Sequence, residues 1–218
     1  PGHSEDPING CMFLSEAYKA MDPNYDARVT VPVLWDKKLG RIISNADDDI
    51  MRMLNREFDA FTDSHLDFCP EELRAEIDEV NAFVYPNIND GVYRAGFATA
   101  QEAYERAVRN LFDALDQLEE RLSSQRYLVG NQLTEADWRL FTTLIRFDAV
   151  YHGHFKCNIR RIVDYPNLYG YLRDLYQYDD IAETVNFDHI KRHYYVTHTD
   201  INPTQIGPVG PALDLTSP

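Results

Sequence analysis

The sequence has 218 residues, 44% hydrophobic and 26% charged, which suits a globular chain with room for one large domain, or for one domain and part of another. A net charge of −15 excludes general nucleic-acid binding, which needs a basic surface to displace counterions from phosphate. No apolar run approaches a membrane-spanning helix, and three widely spaced cysteines, Cys11, Cys69 and Cys157, do not make a secreted disulfide framework, so a reducing cytoplasm is expected.

The opening Pro1-Gly2-His3-Ser4-Glu5-Asp6 is polar, shows no secretory leader and has no initiator methionine, so the chain is expected to begin inside a longer protein. Residues 11–21 read as a helix ended by Asp22-Pro23-Asn24. Residues 28–36 read as a strand on Val29, Val31, Val33 and Leu34, and 41–44 as its antiparallel partner across the turn at Lys37-Lys38-Leu39-Gly40. Pro32 removes a ladder donor, so it demands an edge, a bulge or a special bond. Asp47-Asp48-Asp49 then places negative charge at a helix start. The next helix, opened by Pro70, carries the stripe Leu73, Ile77, Val80 and Phe83. The longest helix covers about 100–124, with Val108, Leu111, Phe112, Leu115, Leu118 and Leu122 on its buried face. Thr134 and Asp137 resemble a capping box with Leu133 and Trp138 as its staple, opening a helix to about residue 150. Shorter helices follow, one opened by Pro166 and one over 187–195, before a proline- and glycine-containing tail.

Val29-Thr30-Val31-Pro32-Val33-Leu34-Trp35-Asp36 looks like the strand of a thioredoxin-fold domain with its cis-proline, which exposes the preceding backbone N–H and C=O to a peptide-like ligand. Gly91-Val92-Tyr93-Arg94-Ala95-Gly96-Phe97, Gly130-Asn131-Gln132-Leu133-Thr134-Glu135-Ala136-Asp137, Phe155-Lys156-Cys157 and Glu183-Thr184-Val185-Asn186-Phe187-Asp188-His189-Ile190 resemble segments of the glutathionyl-hydroquinone reductases, the xi class of glutathione transferases. The resemblance covers nearly the whole chain. It implies an α/β plus all-α architecture, the glutathione transferase fold: residues 1–62 as the C-terminal part of a thioredoxin-like thiol-binding domain, and 63–218 as an all-helical bundle domain with an extended tail.

The resemblance also implies a glutathione-dependent reductase that releases hydroquinone from its glutathionyl conjugate through a Cys-Pro-Trp cysteine. No Cys-Pro-Trp occurs here, and none of the three cysteines stands in that context, so the nucleophile is expected outside this segment. The family pattern assigns Tyr93 and Tyr194 to the hydroquinone, and Val31 and Pro32 to the thiol backbone. It places Asp47 by the thiol's γ-glutamyl group, where relatives carry Glu-Ser and this chain has Ala46-Asp47. Asp47 is expected to cap its own helix and to repel a second carboxylate, which points to glutathione bound differently or to another low-molecular-weight thiol. A homodimer through the helical domains, a small-molecule hydroquinone conjugate as partner, and neither nucleic acid nor membrane complete the expectation.

Plainer readings stand beside these. Tyr93 and Tyr194 also suit a tyrosine-rich core. His152, His154 and Cys157 offer three zinc-type ligands without an evident fourth, and no metal is expected. His189 and His193 read as capping or solvating their helix, Arg160 and Arg161 as solvated or at a subunit contact, and Glu119-Glu120 as surface charge. A conjugating transferase and a non-catalytic binding protein of the same fold are the alternatives.

Overall fold

The computed structural model describes residues 6–217; the polar opening at 1–5 and the last residue lie outside it. The chain divides into two compact units, Pro1–Asp67 and Phe68–Pro218. Among the described residues no helix is long and apolar enough to cross a membrane.

In the first unit, α1 (Leu14–Met21) precedes a two-stranded antiparallel sheet of β1 (Leu34–Asp36) and β2 (Arg41–Ser44), and α2 (Asp47–Arg56) follows. The strand expected over 28–36 contracts to Leu34–Asp36. Extended backbone becomes a strand only where a partner completes the ladder, and β2 supplies four residues, with a register irregularity at Leu34/Trp35. Asp36 closes the hairpin by accepting the N–H groups of Lys38 and Leu39, both at 2.8 Å, and Gly40 takes the positive φ of 62° that the turn requires. Helix α1 begins three residues later than expected because Glu16 reaches back to the N–H groups of Met12 and Phe13, at 2.6 and 2.9 Å, and fixes Phe13 as the cap.

The second unit is helical. After a 3-10 turn at Glu71–Leu73 come α3 (Arg74–Val84), a π-helical turn (Tyr85–Asn89), α4 (Gly91–Gly96), α5 (Gln101–Leu122) and α6 (Glu135–Arg146). A second π-helical turn (Phe147–Tyr151) continues α6, and α7 (Pro166–Gln177), α8 (Ile181–Thr184) and α9 (Phe187–Thr197) complete the order. The expected stripe of α5 is buried, and with Ile77, Ile88, Leu140, Leu144 and Phe147 it forms the core.

A buried and a half-buried carboxylate help to hold this unit together. Asp137, at the third position of α6, accepts from the Thr134 N–H and hydroxyl (2.8 and 3.0 Å), the Leu128 N–H (2.8 Å) and the Tyr171 hydroxyl (2.8 Å). The capping box is thus also the knot that ties α6, the preceding loop and α7. Glu119 is not surface charge: it accepts the N–H groups of Asn167 and Leu168, at 2.9 and 2.8 Å, which α7 leaves unpaired at its N-terminus. The side chains of Arg160 and Arg161 remain solvent-exposed, as read from the sequence, while pairing within the chain. Arg160 pairs with Asp116 and lies 4.4 Å from the Tyr165 ring centroid, and Arg161 pairs with Asp164 at 2.7 Å.

Candidate functional site

In the first unit, Tyr18 is buried and organises the segment of interest. Its hydroxyl donates to the Thr30 carbonyl at 2.9 Å and accepts from the Asn45 amide at 3.2 Å, and Asn45 also donates to the Thr30 hydroxyl at 3.1 Å. One phenol therefore anchors the residue before Val31 and the residue before Ala46. The Val31–Pro32 bond is cis, Pro32 lies outside β1, and Val31 is 77% exposed, so its backbone is presented rather than packed. Asp47 does not cap α2. The cap is Ala46, without a side-chain bond, and Asp47 is the first helical residue, because Ala46 is the last with extended backbone.

In the second unit, α4 carries Tyr93 at its third position, the second π-helical turn ends on Tyr151 and α9 carries Tyr194. The three phenol oxygens form a chain: Tyr93 to Tyr194 at 2.6 Å and Tyr194 to Tyr151 at 2.8 Å. Tyr151 and Tyr194 are buried, at 2% and 5% exposure, while Tyr93 is half-buried. Burial and the neighbouring phenols push the Tyr151 and Tyr194 hydroxyls well above the ordinary tyrosine range, so both stay protonated. The surroundings are aromatic. Phe155 stacks on Tyr151 at 5.5 Å and meets Tyr93 edge-on at 5.4 Å, and Phe97 is half-exposed beside Tyr93. Phe155 is fully buried and its ring fills the space that a Cβ on Gly96 would need, at 2.2 Å.

The two tyrosines singled out in the sequence are therefore in contact. Tyr151 was missed, since in Phe147-Asp148-Ala149-Val150-Tyr151 it reads as one more core residue. Of the histidines, His154 bonds to His198 at 3.2 Å rather than joining Cys157. The Cys157 thiol faces the Val92 and Phe155 carbonyls, and burial pushes it up to about 12. Such a thiol does not supply a thiolate near neutral pH. Burial also raises the Cys11 thiol, and all three cysteines are free. His189 and His193 do not cap α9; Asn186 does, accepting the His189 N–H at 3.0 Å. Among the described residues no three His, Cys, Asp or Glu side chains converge as a metal site.

A helical unit in which this capping box opens α6, preceded in the chain by a small sheet unit with a cis-proline, is the class of the glutathione transferases, and a model of the glutathione S-transferase C-terminal domain matches residues 101–174. The chain is 55% identical over its whole length to the Escherichia coli glutathionyl-hydroquinone reductase YqjG, spanning 66% of that protein. It is 55% identical over 96% of its length to the Sphingobium chlorophenolicum glutathionyl-hydroquinone reductase PcpF, spanning 67% of it. The glutathione-bound YqjG structure superposes with a TM-score of 0.98, covering all of this chain and 71% of that one. A xi-class glutathione transferase from Natrialba magadii superposes at 0.97 with 50% identity, covering all of this chain and 66% of that one. The chain belongs to the xi-class glutathione transferases, the family of the glutathionyl-hydroquinone reductases. It spans about two thirds of the length of the curated relatives it matches.

Proposed function

We propose that this chain is part of a glutathione-dependent reductase of glutathionyl-hydroquinones, in which Tyr93, backed by Tyr194 and Tyr151, binds the hydroquinone oxygen. The observation that carries this reading is the phenol chain. Three hydroxyls bring three protons, and their two mutual hydrogen bonds use two. If Tyr151 donates to Tyr194 and Tyr194 to Tyr93, the remaining proton is on Tyr93, the member that is not fully buried. A hydroxyl that already accepts a hydrogen bond is a stronger donor, so Tyr93 is primed to meet an oxygen on which charge grows.

In the reaction, a cysteine thiolate attacks the glutathionyl sulfur. The sulfur–ring carbon bond breaks, the ring carbon gains a proton, and a mixed disulfide between enzyme and glutathione forms. A second glutathione thiolate then attacks this disulfide, giving oxidised glutathione and the free cysteine. This sequence contains no Cys-Pro-Trp, and its own three cysteines are assigned no step. In the first unit, read as the C-terminal part of a thioredoxin-like domain, the Val31 backbone beside Pro32 pairs with the thiol's peptide groups. Asp47 meets the amino group of its γ-glutamyl end rather than the carboxylate. The same reading extends to a homodimer formed through the helical unit and to a reducing cytoplasmic setting.

The test is product analysis with the full-length protein, a glutathionyl-hydroquinone and glutathione. Free hydroquinone with oxidised glutathione in equal amounts is the expected outcome, with turnover in Tyr93→Phe reduced by roughly 100-fold, the size of one lost stabilising donor. Formation of a new thioether would identify a conjugating transferase, and binding without turnover a ligand-binding protein. Asp47→Ser is expected to change KM for glutathione; equal kinetics would remove Asp47 from the thiol site. Light scattering in solution tests the dimer.

A further inference from the structure

Behind the phenol chain lies a second polar pair that the proposed chemistry does not use. His154, in the turn that follows Tyr151, and His198, at the C-terminal cap of α9, approach through Nε2 and Nδ1 at 3.2 Å. A nitrogen-to-nitrogen bond needs one imidazole to donate and the other to accept, so at least one ring is neutral. Both are held toward neutrality. Burial is the main cause for each, pushing His154 down to about 4, with His198 and Lys156 adding to it; His193 acts on His198 in the same direction. His154 is 5% exposed. The rings are also packed in place. His198 lies 5.8 Å from Phe155 at an interplanar angle of 8°, with its edge toward Phe97 and Tyr194, and His154 lies 4.7 Å from Tyr195. The titratable groups facing the pair are Lys156, His193, Tyr194 and Tyr195.

The Tyr194 oxygen has a demanding position. It serves two partners, one on α4 and one at the end of the turn after α6, and it rides on α9, a separate helix. A slide of α9 by about 1 Å would stretch one of those bonds beyond hydrogen-bonding range. The histidine bond spans the same two elements one turn further on: the turn beyond Tyr151 and the residue whose N–H reaches the Tyr194 carbonyl at 3.4 Å. We propose that His154 and His198 form a positioning clamp that sets the register of α9 and so holds the Tyr194 hydroxyl between Tyr93 and Tyr151. The clamp touches no reacting atom, and its catalytic consequence rests on the reading of the phenol chain as the hydroquinone site.

The experiment compares His154→Phe, which fills the space without a polar atom, with His154→Gln, whose side-chain amide keeps a donor for His198. Both are made in the full-length protein. With the clamp in place, His154→Phe lowers kcat by roughly 10- to 100-fold, the cost of misplacing a catalytic group by about an ångström, while KM for the conjugate changes little. His154→Gln recovers most of the loss. Equal kcat in all three proteins overturns the proposal, as does an equal loss in both variants. Should the unvaried protein release no hydroquinone, the proposed activity fails and the clamp is decided by ultraviolet titration of the tyrosines. His154→Phe then brings phenols into the ordinary range near pH ~10 that stay protonated in the unvaried protein. An unchanged titration overturns the clamp.

Discussion

Asp137→Ala is expected to be the most damaging single substitution away from the phenol chain. Asp137 and Thr134 are fully buried, and so is Leu128; Tyr171 is 4% exposed. Truncation removes the acceptor of four hydrogen bonds at once. Two backbone N–H groups, a hydroxyl and a phenol lose this acceptor. Each such buried donor costs about 1–3 kcal/mol. The carboxylate itself is expensive to bury, and burial raises its pKa against the pull of its four donors, so part of the loss returns when the charge goes. The net expectation is about 3–5 kcal/mol, in line with breaking a buried charged network. At about 2–4 °C per kcal/mol for a chain of this size, the melting temperature falls by roughly 6–20 °C. The sequence has two tryptophans, so a Trp35→Phe background leaves Trp138, the neighbour of Asp137, as a fluorescent reporter for urea titration. Tyr171→Phe, which removes a single donor, is expected to cost about 1 kcal/mol. A loss below about 1 kcal/mol for Asp137→Ala at unchanged m would refute the claim that this carboxylate ties the helices.

Gly96→Ala drives a methyl group into the buried Phe155 ring and is expected to cost about 1–3 kcal/mol, measured by urea denaturation, with turnover falling because Tyr93 shares the helix. Glu119→Ala leaves two N–H groups at the start of α7 without an acceptor and is expected to cost about 1–2 kcal/mol in the same assay. In the folded chain burial pushes the His154 imidazole from the ordinary 6.5 down to about 4. The unfolded chain therefore binds more protons between these values. This contribution to stability is complete above pH about 6.5 and is lost progressively as pH falls toward 4, so the urea midpoint declines across that window and declines less in His154→Phe.

Much of the helical unit was legible because its signals are local. The buried stripe of α5, the proline that opens α7 and the Thr134–Asp137 box each fix an element from within a few residues. What escaped depends on partners far along the chain. Residues 28–33 have the composition of a strand, yet strand structure needs a ladder partner, and β2 reaches only Leu34–Asp36. Glu119 reads as solvated charge until α7, 48 residues later, brings its unpaired N–H groups to it. Tyr93 and Tyr194 were found through family motifs, not through any local rule. Tyr151 belongs to no quoted motif, and His198 sits in a segment without periodicity.

The placement of the phenols has a physical source that local pattern does reach in part. Each of two phenols follows or ends a π-helical turn. Such a turn inserts one residue relative to an α-helix, which rotates everything beyond it by about 100°. In the first turn, Pro86 has no N–H to offer the Ala82 carbonyl, which interrupts the α-helical ladder at the start of the π-helical segment. The Asp90 N–H instead reaches the Tyr85 carbonyl at 2.8 Å, and the Asn87 side chain takes the Phe83 carbonyl at 2.8 Å. Asn89, at the end of the turn, then binds the Thr143 hydroxyl at 2.7 Å and the Arg139 carbonyl at 3.0 Å, fixing the rotated segment against α6 just before Tyr93. In the second turn the His152 N–H reaches the Phe147 carbonyl at 2.9 Å. The Asp148 carboxylate accepts the N–H groups of Ile162 and Val163, at 2.7 and 3.1 Å, and pins the turn that ends on Tyr151. A helix in solution would relax such turns, since their geometry is poorer than the α-helical one. Here side chains from neighbouring elements hold both, and the two rotated phenols both meet the Tyr194 oxygen.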